Sequence, residues 1–395
     1  METTDAFDGL RCLDCAGTVD ATATRCPKCG GVLEATYDED VLKKTLDLSA
    51  DASGAGGTAG GLARFAGGLP LPADRLVTLG EGETPLVSCP TLSGELGVER
   101  VLVKDEARNP TGSVVDRGMA VAVSVASEDG TDEVALPTTG NGGQAAAAYA
   151  SRAGLESESF VPSRTLFANK AMINVHDGDM NVVGGRYGDA VEAFEDAAGD
   201  RYSLAPFETP YRQEGVKTVA YELVADLDDA PDAVVCPTGH GITLRGLYAG
   251  FRDLVAIDAI DECPRLYAAQ AGGCAPIAAA WERGETAHEP VEYPDTICGT
   301  LEVPDPAGGP AVIDALEATG GAAIATGDEP ILERALTLAQ DGVPTSATGG
   351  AAISGAVALA DQGAFDADET VVLVNPTTAN READLLRSHL MSKGV

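Results

Sequence analysis

The sequence predicts an α/β protein built on mostly parallel sheets and preceded by a small cysteine-bound unit. Three observations carry this reading. Short apolar runs such as Val101–Val103, Val134–Pro137, Val234–Pro237 and Val371–Val374 have the length of buried strands. Longer helical stretches, several rich in alanine, lie between them, and that alternation marks strand–helix–strand units. Two Cys-x-x-Cys pairs stand near the N-terminus.

Bulk properties narrow the class. With 395 residues, 44% of them hydrophobic, the chain is long enough for two or three domains around a substantial core. No apolar run reaches the roughly 20 residues that span a bilayer, so no membrane segment is expected. The opening METTDAFDG is acidic and polar, unlike a secretory or mitochondrial leader, and points to a cytoplasmic protein. Acidic residues number 62 against 26 basic ones, a formal charge of -36. That balance excludes a general binder of nucleic-acid backbones. The acid is spread along the whole chain, as on a halophilic surface, where salt screens repulsion between carboxylates.

Residues 1–35 form the first unit. Cys12, Cys15, Cys26 and Cys29 are spaced so that four thiolates can surround one zinc ion as a ribbon. Gly30 and Gly31 allow the tight turn that aims amides at sulphur. A redox disulfide is the competing reading, and a filled four-thiolate shell excludes zinc catalysis. Cys89, Cys236, Cys263, Cys274 and Cys298 lack ligand spacing and read as small core residues. Residues 36–72 follow, with an acidic helix around Asp38–Leu48 and a flexible glycine-rich segment at 51–61.

The strand–helix alternation then begins. Leu76–Val87 reads as a strand and turn around Gly80-Glu81-Gly82-Glu83-Thr84-Pro85. Val101–Val103 is a short strand closed by Lys104-Asp105-Glu106. Lys104 reads as an ion-paired structural lysine or, alternatively, as a substitute base. Asn109-Pro110-Thr111-Gly112-Ser113 leads into a helix through Met119 to Ala126, with Ser113 as N-cap. Gly140-Asn141-Gly142 follows the Val134–Pro137 strand and opens an alanine-rich helix. Ser159–Pro162, a helix near Leu166–Ile173, Asn181–Val183 and a helix over Tyr187–Phe194 continue the pattern. Pro210-Tyr211-Arg212 enters a long helix containing Glu214-Gly215-Val216-Lys217-Thr218. Gly239-His240-Gly241-Ile242-Thr243 joins the Val234–Pro237 strand to the next helix. Leu266–Gln270, Pro344-Thr345-Ser346-Ala347 before another alanine-rich helix, and Val371–Val374 complete the order.

Taken in this order, these segments resemble the fold-type II pyridoxal-phosphate enzymes, which have a tryptophan synthase beta-like architecture, and above all the threonine synthase family. The resemblance implies two open twisted sheets, a large domain from 73–112 plus 206–395, and a small mobile domain at 113–205. It also implies a homodimer. Where the family writes Gly-Ser-Phe-Lys-Asp-Arg, this chain has Gly112-Ser113-Val114-Val115-Asp116-Arg117, so the cofactor lysine is replaced by Val115. Asn141 matches the asparagine beside the pyridine 3'-oxygen, or is a polar turn residue. The 239–243 run matches the phosphate loop in altered form, with Gly239, His240, Gly241, Ile242 and Thr243 as its members. Asn375 or Thr377 stands near the pyridine nitrogen position. Arg212 matches the arginine that contacts substrate phosphate, or makes a surface ion pair. Gly142 and Pro206-Phe207 replace further polar positions of the substrate site. The expectation is a catalytically silent homologue that keeps a small anionic ligand or a regulatory role, with pyridoxal phosphate at most noncovalent. The alternative is an active pyridoxal-phosphate-dependent lyase converting O-phosphohomoserine to threonine, or an altered reaction using noncovalent pyridoxal phosphate.

Overall fold

The structure is a computed structural model that describes residues 1–49, 60–197, 199 and 201–394. Most of the glycine-rich segment expected to be flexible, at 51–59, lies outside the described residues. Along the chain run strands β1 (Phe7–Cys12), β2 (Thr18–Val19), β3 (Leu33–Tyr37), β4 (Leu86–Ser88), β5 (Arg100–Asp105), β6 (Glu133–Pro137) and β7 (Glu156–Pro162). They continue as β8 (Asp179–Val183), β9 (Tyr202–Ser203), β10 (Ala233–Pro237), β11 (Arg265–Ala271), β12 (Ala322–Thr326) and β13 (Thr370–Asn375). The helices begin with α1 (Glu39–Thr45), α2 (Pro90–Leu96), α3 (Val115–Asp129), α4 (Asn141–Ala153), α5 (Phe167–Val175), α6 (Tyr187–Asp196) and α7 (Tyr211–Leu227). They end with α8 (Ile242–Ala256), α9 (Pro276–Glu282), α10 (Gly309–Thr319), α11 (Asp328–Gln340), α12 (Ala347–Asp361) and α13 (Ala383–Ser392). Among the described residues, no helix is long and apolar enough to cross a membrane.

The chain divides into two compact units. The first comprises Met1–Glu83, Val115–Asp228 and Gly246–Glu262. It holds the antiparallel ribbon β2-β1-β3 and the parallel sheet β8-β7-β6-β9. One apolar core runs from the ribbon residues Leu10, Cys12, Cys26 and Leu33 to Met119–Val123 and Ala145–Ala146, reaching Leu204 and Tyr211. Helices α3 and α7 cross with almost no separation. A Cβ on Gly215 would lie 1.9 Å from the Arg117 carbonyl oxygen, and one on Gly118 would lie 2.8 Å from that of Arg212. Glycine at both positions is what permits the crossing.

The second unit comprises Thr84–Val114, Asp229–Arg245 and Cys263–Val395. Its sheet has the order β12-β11-β10-β13-β5-β4, parallel except for the antiparallel β4–β5 pair. Strand β13 is buried along its length. That fits the continuous apolar run TVVLV, the pattern of a strand covered on both faces.

Local departures from expectation have identifiable causes. Within Leu76–Val87 only the last residues join a ladder, because Gly80, Glu83 and Gly82 take φ values of 88°, 50° and 97°. Strand β5 extends through Lys104 and Asp105 instead of closing at them. Helix α3 starts at Val115, two residues beyond Ser113. Ser113 forms an antiparallel bridge with Thr377, and the Val114 amide donates to the Pro376 carbonyl at 2.9 Å.

Candidate functional site

The cysteine cluster forms from the ribbon upward. Strand β1 delivers Cys12, the following turn delivers Cys15, and the loop before β3 carries Cys26 and Cys29. All four sulphur atoms lie within 4.8 Å of one another. Cys12 and Cys29 are 3.5 Å apart, and Cys15 and Cys26 are 3.7 Å apart. A tetrahedron of thiolates with metal–sulphur bonds of about 2.3 Å has edges near 3.8 Å, so the donor set fits a metal ion. The separations are far longer than the ~2.05 Å of a disulfide. Gly31 is required by space, since a Cβ there would lie 2.8 Å from the Cys12 sulphur. The Lys28 backbone N–H pulls the Cys26 thiol down to about 7.

In the first unit, Val115 opens α3 and packs, partly buried, against the core, while Val114 at the end of the second unit is buried. Asn141 is buried as the first residue of α4, after Gly140 at φ 129°. Arg212 is 6% exposed, which excludes a surface ion pair. Its Nη1 donates to the Leu204 carbonyl at 2.8 Å, while its Nε has no hydrogen-bond partner among the described residues. Burial pushes its pKa down to about 10. A buried guanidinium without a carboxylate is electrostatically unfinished and suits an anion.

Two further groups shape this unit. Arg117 and Glu222 form a buried pair of 2.7 and 2.8 Å contacts, with Thr218 on the same guanidinium. Lys217, 1% exposed, lies between Glu214 at 2.7 Å and Asp253 at 2.9 Å. The Tyr37 and Tyr221 hydroxyls donate to those carboxylates, each at 2.5 Å. The Lys217 ammonium also sits 3.7 Å from the centroid of the Tyr37 ring. Spacing in the sequence could have revealed the Glu214–Lys217 pair, since residues three apart share a helix face. Tyr37 and Asp253 carry no local signal.

In the second unit, Gly239, His240 and Gly241 form the turn from β10, and Ile242 and Thr243 start α8. Gly241 has φ 97°, and a Cβ there would meet Val312 at 2.3 Å. His240 Nδ1 accepts from the Ala307 amide at 3.3 Å, and its carbonyl accepts from the Gly308 amide. The first amides of such a helix lack intrahelical acceptors and can take an anion. Asn375 ends β13 with its amide engaged inside the protein. Its Nδ2 donates to Asp105 at 2.7 Å and lies 3.5 Å from the Pro344 carbonyl, while its Oδ1 accepts from Thr345 at 2.5 Å. Thr377 donates to the Gly112 carbonyl at 3.1 Å. Lys104 is fully buried, with Nζ donating to the Thr84 carbonyl at 2.8 Å. The structure thus gathers the four cysteines in one cluster and places residues 239–243 on one turn and the helix start that follows it.

Comparison with known proteins adds the wider context. A sequence profile described as "Pyridoxal-phosphate dependent enzyme" matches residues 77–377. "Threonine synthase" of Methanosarcina acetivorans is 31% identical over 372 residues, covering 92% of this chain and 90% of that one. "Threonine synthase" of Methanocaldococcus jannaschii is 32% identical over 382 residues, covering 95% and 93%. Among solved structures, a fungal L-serine ammonia-lyase from Rhizomucor miehei superposes with a TM-score of 0.68 at 21% identity, over 78% of this chain and 97% of the other. Diaminopropionate ammonia lyase from Escherichia coli, in complex with D-serine, gives a TM-score of 0.69 at 16% identity, over 80% and 89%. At those identities the structural likeness shows the fold, which is α/β of fold type II with an added N-terminal cysteine cluster.

Proposed function

The chain belongs to the pyridoxal-phosphate dependent enzyme family, and on that premise we propose a threonine synthase-type protein that has lost imine chemistry and keeps a ligand-binding or regulatory role. The observation that carries this reading is Val115. Enzymes that use pyridoxal phosphate need a lysine amine to hold the aldehyde and to move protons at the substrate. Gly112-Ser113 before the position and Asp116-Arg117 after it keep the family's frame, so no shift of register recovers a lysine.

The residues present do not fit a lysine-bound cofactor. Of seven lysines in the sequence, Lys104 and Lys217 are buried, and both amines are engaged within the protein. The engaged amide of Asn375 supports a structural role at the pyridine position. In the first unit the buried Arg212 supports a retained contact for a small anion; in the second, the helix-start loop at 239–243 supports one independently. The cysteine cluster is taken to hold structural zinc, and a homodimer is the assembly that the family resemblance supports. The test is to purify the protein in high salt, add pyridoxal phosphate, reduce with borohydride and map modified lysines. No pyridoxyl-lysine is expected, and an adduct on Lys104 or any other lysine would sink the reading.

A second reading is favoured by the relatives themselves. Two proteins named threonine synthase match more than nine-tenths of the chain, which supports an active lyase of the same type. Release of phosphate and formation of threonine from O-phosphohomoserine, above a protein-free blank, would select this reading over the first.

A further inference from the structure

We propose that the metal-bound cysteine ribbon holds Arg212 in position, with Tyr211 as the positioning residue between them. The inference rests on the reading of Arg212 as an anion-binding group. The loop between Cys15 and Cys26 is closed by the cluster itself, since those two sulphur atoms are 3.7 Å apart. Two groups of this loop reach the start of α7. The Ala21 carbonyl accepts a hydrogen bond from the Tyr211 hydroxyl, and Arg25, adjacent to Cys26, pairs with Glu208 at 3.2 Å.

The segment they grip is the one that delivers Arg212. Tyr211 is fully buried and shares one apolar core with Cys12, Cys26 and Leu204. Phe207, four residues earlier, is buried with φ at 61°, a backbone state that non-glycine residues hold only when their surroundings impose it. Thr209 adds a hydroxyl contact to Tyr202 at 3.2 Å. Leu204, whose carbonyl takes the Arg212 guanidinium, is itself tied by its amide to the Ala135 carbonyl at 2.8 Å. The turn from Leu204 to Arg212 is therefore braced by the sheet on one side and by the ribbon loop on the other. With the metal removed, nothing holds the four sulphur atoms together and the loop carrying Ala21 and Arg25 loses its closure. The strained turn then loses one of its two braces.

The test uses the full chain in high salt, loaded with zinc, stripped by a chelator with thiols kept reduced, and as zinc-loaded Tyr211→Phe. Hydrogen exchange by mass spectrometry reports on residues 203–216, and calorimetry reports the binding of inorganic phosphate. Stripping is expected to speed exchange at 203–216 along with the ribbon, while β11 stays protected. Tyr211→Phe is expected to retain zinc and its melting midpoint, to speed exchange only at 203–216, and to weaken phosphate binding by about fivefold, the scale of one hydrogen bond. Unchanged protection at 203–216 in stripped protein would overturn the inference. So would a Tyr211→Phe protein whose phosphate affinity falls only in step with a lowered melting midpoint. Zinc-loaded protein that binds no phosphate but shows the expected exchange refutes the anion reading and leaves the coupling standing. Should Tyr211→Phe fail to fold, Arg25→Gln probes the same link at its other contact, with the same outcomes.

Discussion

Val115 and Glu81 show how single side chains define this protein. A valine opens α3, and the proposed loss of imine chemistry rests on its standing where an amine would be needed. Val115→Lys is expected to gain a borohydride-trappable pyridoxyl adduct at position 115, read by peptide mass spectrometry, while the wild type gains none. A variant that stays unmodified would show that the position does not face a bound aldehyde. Glu81 is fully buried, with one carboxylate oxygen accepting from Tyr149 at 2.7 Å and Leu79 at 2.9 Å and the other without a partner among the described residues. Burial raises its pKa. Between the ordinary carboxyl value and this raised one, the folded state binds more proton than the unfolded state, so stability falls as pH rises. Glu81→Gln removes that dependence. The variant is expected to gain stability relative to the wild type as pH rises from acidic to mildly alkaline, and denaturant melts at the two pH values check the sign.

At the scale of elements, the close crossing of α3 and α7 and the ribbon's thiolate cluster carry the predictions. Gly215→Ala forces a methyl group to within 1.9 Å of the Arg117 carbonyl. It is expected to destabilise the protein by about 1–3 kcal/mol, read as a lower denaturant midpoint, because helix backbone and not a flexible side chain must move. Cys26→Ser removes a soft ligand from the four-sulphur set. Its zinc content, measured by elemental analysis after dialysis, is expected to fall well below that of the wild type. Retention of the wild-type content would argue against a four-thiolate site. The ribbon knuckles and the strands β10 and β13 are legible in sequence because spacing and apolar runs are local signals. The Lys217 group is not. Glu214 and Lys217 announce themselves by separation, whereas Tyr37 and Asp253 join them from 177 positions upstream of Glu214 and 36 positions beyond Lys217.

The charge of the whole molecule sets its response to salt. At -36, self-repulsion weakens as the Debye length shrinks from about 10 Å at 0.1 M salt to about 3 Å at 1 M. The thermal midpoint is expected to rise across that range, and a midpoint independent of potassium chloride would contradict the halophilic reading of the surface.

The sequence by itself determined the alternation of strands and helices, the cysteine spacing and the valine at position 115 on which the proposed reading rests. Each of these is written in neighbouring residues or short periods. Only tertiary structure decided that Arg212 is buried with its Nε unpaired among the described residues, that the Asn375 amide is engaged by Asp105 and Thr345, and that Ser113 bridges to Thr377. Those outcomes depend on which distant segments meet. Burial and hydrogen-bond completion are properties of the assembled surroundings, and no local pattern records them.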